Sequence, residues 1–320
     1  MAGRGELSHL LSCDLNRPYM FSDIQQIFKD KGTKIIDEPN FGEMFPALME
    51  NLGNIDSDTR EGSLDMLWEI IESGDLSDKQ LISMGNQLAK NLVVSVGEQG
   101  NDSVLLRSFS VLLLGVIIGH DETRKEKQGE VFLSLETFLI WFEKCKNYVL
   151  AEKDFRGFVP GKGWAHATSH GADVLRNFAF HHLSTPEDHV EILDILSEKL
   201  LENTEAIYIN NDDNRLARVV VTILLRNQLK LADYEKWLDE LLAKFDGQSW
   251  VNFADDRQKL IPWFNTITFL RALYFVLVHG MKVLEEVTLY EQVPVLREEV
   301  MALVQNMLKQ MDQGLNYRAL

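Results

Sequence analysis

Apolar residues return at steps of three and four along almost the whole chain, the spacing that places them on one face of an α-helix. Leu64, Leu67, Trp68 and Ile71 form one such stripe, with Asp56 or Ser57 placed to cap its start and Gly74 to stop it. Leu81, Met84, Leu88 and Leu92 form the next, opened by Ser77 and closed by Gly97 and Gly100. Leu105 to Gly119 is apolar almost all round, which predicts a helix buried between neighbours. Phe132, Leu135, Phe138, Leu139 and Phe142 predict a further helix over Val131 to Leu150. Thr185-Pro186-Glu187-Asp188 reads as a helix start, with a capping threonine, proline in the first turn and acids at the positive end of the dipole. Arg215 to Leu229 is rich in valine, yet its length favours a buried helix over a strand. Trp250 to Gly280 and Leu284 to Met311 supply the last long helical stretches. No hairpin with alternating flanks is visible, and the pattern predicts about eleven or twelve helices with short connections.

Paired helices with one apolar face each bury it by stacking. A weak internal repeat points the same way. Arg60-Glu-Gly-Ser63-Leu64 lines up with Arg107-Ser-Phe-Ser110-Val111 at an offset of 47 residues, and Asp213-Asn-Arg215 resembles Asp58-Thr-Arg60. The period lies at the upper end of the HEAT/armadillo range. The expected fold is therefore all-α: stacked antiparallel helix pairs in a HEAT/armadillo-like α-solenoid. Residues 1–20 read as an N-terminal tail and 21–320 as a single helical-repeat domain, because seven prolines and no long Ser, Gly or Pro tract leave no linker to divide it.

Charge narrows the partners. The formal net charge is −17. So acidic a surface repels phosphate backbones, which excludes nucleic acid and leaves a peptide, a protein, a cation or a small molecule. Cys13 and Cys145 are too few for a disulfide framework or a thiolate zinc site. The first twenty residues lack an apolar core of signal-peptide length, and the strongest apolar run, Val111 to Ile118, is too short to span a bilayer. No membrane association and a cytoplasmic location are expected.

One segment departs from the helical pattern. Residues 152–177 begin with Arg156-Gly157-Phe-Val-Pro160-Gly161-Lys162-Gly163, a compact glycine-rich loop, and a helix is expected to start near Trp164. At about 100° per residue, His166, His170, Asp173 and Asn177 share one narrow stripe, opposite apolar Ala172, Leu175, Phe178 and Ala179. Histidines four apart on a helix can meet one metal ion, with Asp173 as a third ligand or as the group that orients an imidazole. A divalent zinc, manganese or iron ion is the implied cofactor, and Glu152 or Asp154 could complete its shell. The same residues could serve acid–base chemistry without metal, because histidine titrates near neutral pH.

Three readings follow. In the first, Trp164, His166, His170, Asp173 and Asn177 line a groove that binds a peptide or small ligand. In the second, His166, His170 and Asp173 hold a metal for hydrolysis, while Arg156 or Lys162 steadies an oxyanion. In the third, the stripe is a structural polar network. The loop is not a phosphate loop, since its spacing is one residue short and no Ser or Thr follows Lys162. His181-His182 and His120-Asp121 read as helix ends, where the dipole favours imidazolium. Asn210-Asn211-Asp212-Asp213-Asn214 lacks the calcium-loop spacing and reads as a cap for the Arg215 helix. Trp141, Trp164, Trp250 and Trp263 read as core or groove-lining.

Glu152-Lys-Asp154-Phe-Arg156-Gly157, then Gly163-Trp164-Ala165-His166 and His170-Gly171-Ala172-Asp173, resemble the pattern of a bacterial family of unknown function, DUF2785. Arg107-Ser108-Phe109-Ser110 and Asp213-Asn-Arg215-Leu216-Ala217 extend the resemblance, from about Phe45 to beyond Leu229. It implies a helical protein with a signature centred on those histidines, and it carries no activity.

Overall fold

In a computed structural model of the chain, residues 19–204, 206–245, 250–280 and 292–311 are described. Residues 1–18, which hold most of the expected tail and Cys13, lie outside them, as do residues 281–291. The described α-helices are α1 (Phe21–Lys31), α2 (Phe41–Asn51), α3 (Ser57–Glu72), α4 (Asp78–Asn91), α5 (Ser103–Gln128) and α6 (Leu135–Ala151). They continue with α7 (Ala167–Phe180), α8 (Pro186–Leu201), α9 (Asp212–Arg226), α10 (Leu231–Ala243), α11 (Arg257–His279) and α12 (Arg297–Met311). Two strands, β1 (Phe158–Val159) and β2 (Gly163–Trp164), pair antiparallel between α6 and α7.

Local chemistry accounts for many of the helix ends. The Asp56 carboxylate accepts from Thr59 N–H and opens α3, and Gly74, at φ +74°, follows its close. Ser77 with Gln80 and Thr185 with Asp188 form capping boxes on α4 and α8. Several expected boundaries move. The Val131 helix starts only at Leu135, capped by Ser134, and the Leu284–Met311 stretch is helical from Arg297, its residues 284–291 lying outside the described ones. The Leu105 helix runs on to Gln128, so His120 and Asp121 lie in mid-helix rather than at an end. The stretch from Trp250 divides into a 3₁₀ turn (Trp250–Phe253) and α11, because the Asp256 side chain caps Gln258 N–H and starts a new helix. α4 stops at Asn91, before Gly97.

The helices form two layers. In one, α3, α5, α7, α9 and α11 each pack on the next; in the other, α4, α6, α8, α10 and α12 do the same. The layers are joined through α4 on α5, α6 on α7, α8 on α11 and α11 on α12, and α2 packs on α3. One continuous apolar core runs from Ile24 to Met311. α5, which contains the Val111–Ile118 run, and α11 are long and apolar enough to cross a membrane, but most of each apolar window is buried inside the fold, 78% and 67%. They act here as core helices. α7 occupies the middle of its layer, between α5 and α9.

The internal repeat has a structural counterpart. Arg60 in α3 and Arg107 in α5 are both fully buried and both donate to backbone carbonyls: Arg60 to Asn54 O, and Arg107 to Val94 O and Ser95 O. Ser63 and Ser110, one turn further on, each accept from an asparagine that ends the preceding helix, Asn51 and Asn91.

Candidate functional site

The glycine-rich segment before α7 is a hairpin, not the start of a helix. Lys162 N donates to Val159 O at 3.0 Å around Pro160-Gly161, and Ala165 N donates to Gly157 O at 2.8 Å. Gly161 and Gly163 sit at φ +78° and +79°, a region that favours glycine and breaks any helix through Trp164. His166 is also left-handed, at φ 52°, and forms the N-cap of α7. The helix therefore begins at Ala167, and His166 leaves the stripe assigned to it.

Fixed charges hold the hairpin against the N-terminal ends of α3 and α5. Arg60 Nη2 donates to Lys162 O at 2.6 Å and Trp164 O at 3.4 Å. Lys162 Nζ pairs with Asp102 at 2.6 and 2.8 Å. Arg156 forks onto Asp154 and donates to Asn101 O, while Asp154 also accepts from Gly100 N. Glu152 takes Arg107 in a bidentate pair at 2.6 and 3.0 Å, fully inside the fold. Gly157 abuts Asn210 so closely that a Cβ there would lie 2.1 Å from the Asn210 side chain. The two cations expected to steady an oxyanion, Arg156 and Lys162, are thus committed to Asp154 and Asp102. Glu152 and Asp154 serve this clasp.

Of the four stripe residues, three are absorbed by packing. His170 is buried, with Nδ1 2.8 Å from Ser108 Oγ on α5. Burial pushes its pKa down to about 4, so it is neutral at pH 7. Asp173 is buried and ion-paired to Arg215 Nη1 of α9 at 2.5 Å. Asn177 packs on α5 at Gly115 and Gly119, where a Cβ would sit 2.9 and 3.3 Å from its side chain. The apolar side is as expected, with Ala172, Leu175, Phe178 and Ala179 all buried. A cation bound by His166, His170 and Asp173 together would have to displace a guanidinium from Asp173.

What remains open lies at the hairpin. The ring of His166 stacks on Trp164, centroids 4.1 Å apart and planes at 27°. Trp164 meets Phe158 edge to face at 5.2 Å. Inward, His166 meets His170 at 5.7 Å, His170 meets Phe109 at 5.4 Å, and the Arg60 guanidinium lies 4.8 Å over the Phe109 ring. A continuous column of rings thus runs from buried Arg60 to a surface where Trp164 is 40% and Phe158 57% exposed. His166 Nε2 is buried and has no hydrogen-bond partner among the described residues. Asp212, Arg215 and Asp173 bear electrostatically on that ring, and burial lowers its pKa against the pull of the two carboxylates. Asn211, read as the cap of α9, makes no side-chain cap; Asp212 instead accepts from Ser169 Oγ at 2.7 Å. Trp141 and Trp263 are core residues, and the Trp250 side chain lies outside the described part of the structure.

A second polar cluster sits at the other end of α5 and α7. Asp121, His181 and His182 bring ligand-type atoms within 4.8 Å of one another, a group capable of holding a metal. Their hydrogen bonds are largely made already. His181 Nε2 lies 3.0 Å from Asp121 Oδ2, Asp121 Oδ1 accepts from Phe132 N and Leu133 N, and Leu183 N–H reaches His181 Nδ1 at 3.3 Å. With Nδ1 accepting, Nε2 carries the proton it gives to Asp121. Glu122 Oε2 takes both His182 N–H and His182 Nδ1. Sequence reasoning missed this pairing because it placed His120-Asp121 at a helix end. Burial lowers the His181 pKa despite Asp121, so the imidazolium expected at this terminus is not favoured.

With a buried helical scaffold, a clasped hairpin and a histidine-centred column in place, the class is a helical-layer protein with one glycine-rich hairpin set among its helices. Residues 92–275, more than half of the chain, match the family described as protein of unknown function (DUF2785), and the chain belongs to that family. The match starts later than Phe45 and runs past Leu229. No curated protein and no solved structure matches the chain.

Proposed function

We propose that this chain is a ligand-binding protein of α-solenoid type, a single HEAT-like array over residues 21–320 that accepts a peptide or small molecule at the Phe158–Trp164–His166 surface. The alternating two-layer contacts and the matching Arg60 and Arg107 anchors support the solenoid reading. The observation that carries the binding reading is the rigid, exposed Trp164: its carbonyl is held by Arg60, its indole is stacked on His166, and Phe158 stands beside it. Large aromatic rings held in one orientation lose little entropy on binding, which is why they dominate recognition surfaces. The structural-network reading applies to His170, Asp173 and Asn177 and leaves this surface unexplained.

Metal-assisted hydrolysis is the second reading, and the Arg215–Asp173 pair weighs against it at His166, His170 and Asp173. Elemental analysis of untagged protein decides between them: stoichiometric zinc, manganese or iron that disappears in His170→Ala would favour the hydrolase. Ligand-observed NMR with a neutral aromatic fragment library tests binding directly. Fragments that saturate on the wild type and stop doing so in Trp164→Ala and His166→Asn support the proposal. Hits indifferent to both substitutions would place recognition elsewhere.

A further inference from the structure

The charges around the exposed rings select the ligand. Asp173 neutralises Arg215, Asp102 neutralises Lys162, and Asp154 neutralises Arg156. Asp212, at the start of α9, makes no ion pair among the described residues and is nearly fully buried, satisfied only by Ser169 Oγ and a long contact from Asn210 N at 3.4 Å. On the other flank, Glu61 lies 3.3 Å from where a Gly163 Cβ would be. Its nearest cation, Arg60, is 3.7 Å away and already donates to three carbonyls. The aromatic pair is thus bordered by Glu61, whose charge is shared with Arg60 at 3.7 Å, and backed through His166 by Asp212, which no cation pairs among the described residues, on a chain whose net charge is −17. Two ring planes at 76° form a corner in which a cation can lie against one face while its apolar stem packs on the other.

We propose that the Phe158–Trp164 corner receives the guanidinium or ammonium group of a basic peptide, with Glu61 and Asp212 supplying the complementary field. The inference rests on the binding reading above and names its ligand class. A cation over an aromatic face gains most when partly desolvated, and the flanking acids raise the local concentration of basic partners.

The test uses the full chain and a fluorescein-labelled Arg-Gly repeat peptide followed by anisotropy. The matched peptide with citrulline in place of arginine keeps the shape and removes the charge. Wild type is expected to bind the arginine peptide about tenfold more tightly than the citrulline one. Trp164→Ala should weaken binding about tenfold, Phe158→Ala by a smaller factor, and Glu61→Gln about twofold to threefold with a shallower salt dependence. Phe158→Ala removes an exposed ring, so it keeps the test meaningful should Trp164→Ala fail to fold. Equal affinity of wild type and Phe158→Ala for the arginine peptide, or equal affinity of wild type for both peptides, overturns the proposal. If arginine and citrulline peptides are indistinguishable while neutral fragments still respond to Trp164, only the cationic class fails. If neither responds, the binding reading fails with it.

Discussion

The two ends of the α5–α7 pair carry the same chemical vocabulary and use it differently. At the α7 C-terminus, His181, His182, Asp121 and Glu122 satisfy one another and the chain that turns over them. At the N-terminal end, His170 and Asp173 are satisfied in the same way, but the column continues outward to a histidine with an unpaired nitrogen and to exposed rings. Histidine–carboxylate clusters are therefore weak indicators of function in this fold. The residues that distinguish a surface from a strut are those left over after the buried polar groups have found partners.

Four measurements sharpen that contrast. The largest effect is expected at the clasp. Arg107→Ala leaves Glu152 charged and buried without its partner, and should cost about 3–5 kcal/mol in urea denaturation. Acid comes next. His170 has a folded pKa of about 4 against an ordinary value of 6.5, so the unfolded chain binds the extra proton. This histidine's contribution is intact above pH 6.5 and is lost as the pH falls towards 4, in total about 3 kcal/mol. Denaturation midpoints at stepped pH would show it, and His170→Gln should flatten the profile; an unchanged profile would refute a buried neutral His170. Asp121→Asn disturbs the opposite end by weakening the bond to His181 while keeping acceptors for Phe132 and Leu133, at about 1–2 kcal/mol by the same denaturation. Trp164→Ala should be the smallest stability change, under about 1 kcal/mol, while abolishing the fragment binding described above. A large loss of stability there would make Trp164 a strut rather than a contact.

Much of the scaffold was legible because its signals are local. Asp56, Gly74, Ser77 and Thr185 act within one turn of the helices they bound, and each does what its position suggests. The Arg60/Arg107 correspondence was also readable, since both arginines solve the same problem of buried carbonyls at a helix junction. The break in the helical pattern at residues 156–163 was legible, and the geometry that follows it was misjudged. A wheel drawn through His166 assumes helical backbone, while Gly161, Gly163 and His166 itself adopt positive φ. Nor does periodicity reveal that α7 is covered on both flanks, so that a polar stripe faces α5 and α9 instead of solvent. Phe158, absent from the sequence-based candidates, could have been flagged only by asking which apolar residue of a glycine-rich loop has no core to enter.

The left-handed backbone at His166 restricts what evolution or mutagenesis can place there. Asparagine and glycine tolerate that conformation, whereas valine or isoleucine would be strained in it. Neither tolerant residue brings an aromatic face to lean on the indole. A homologue that exchanges this histidine for asparagine would therefore keep the hairpin's path and let the tryptophan swing free, trading a fixed platform for a mobile one.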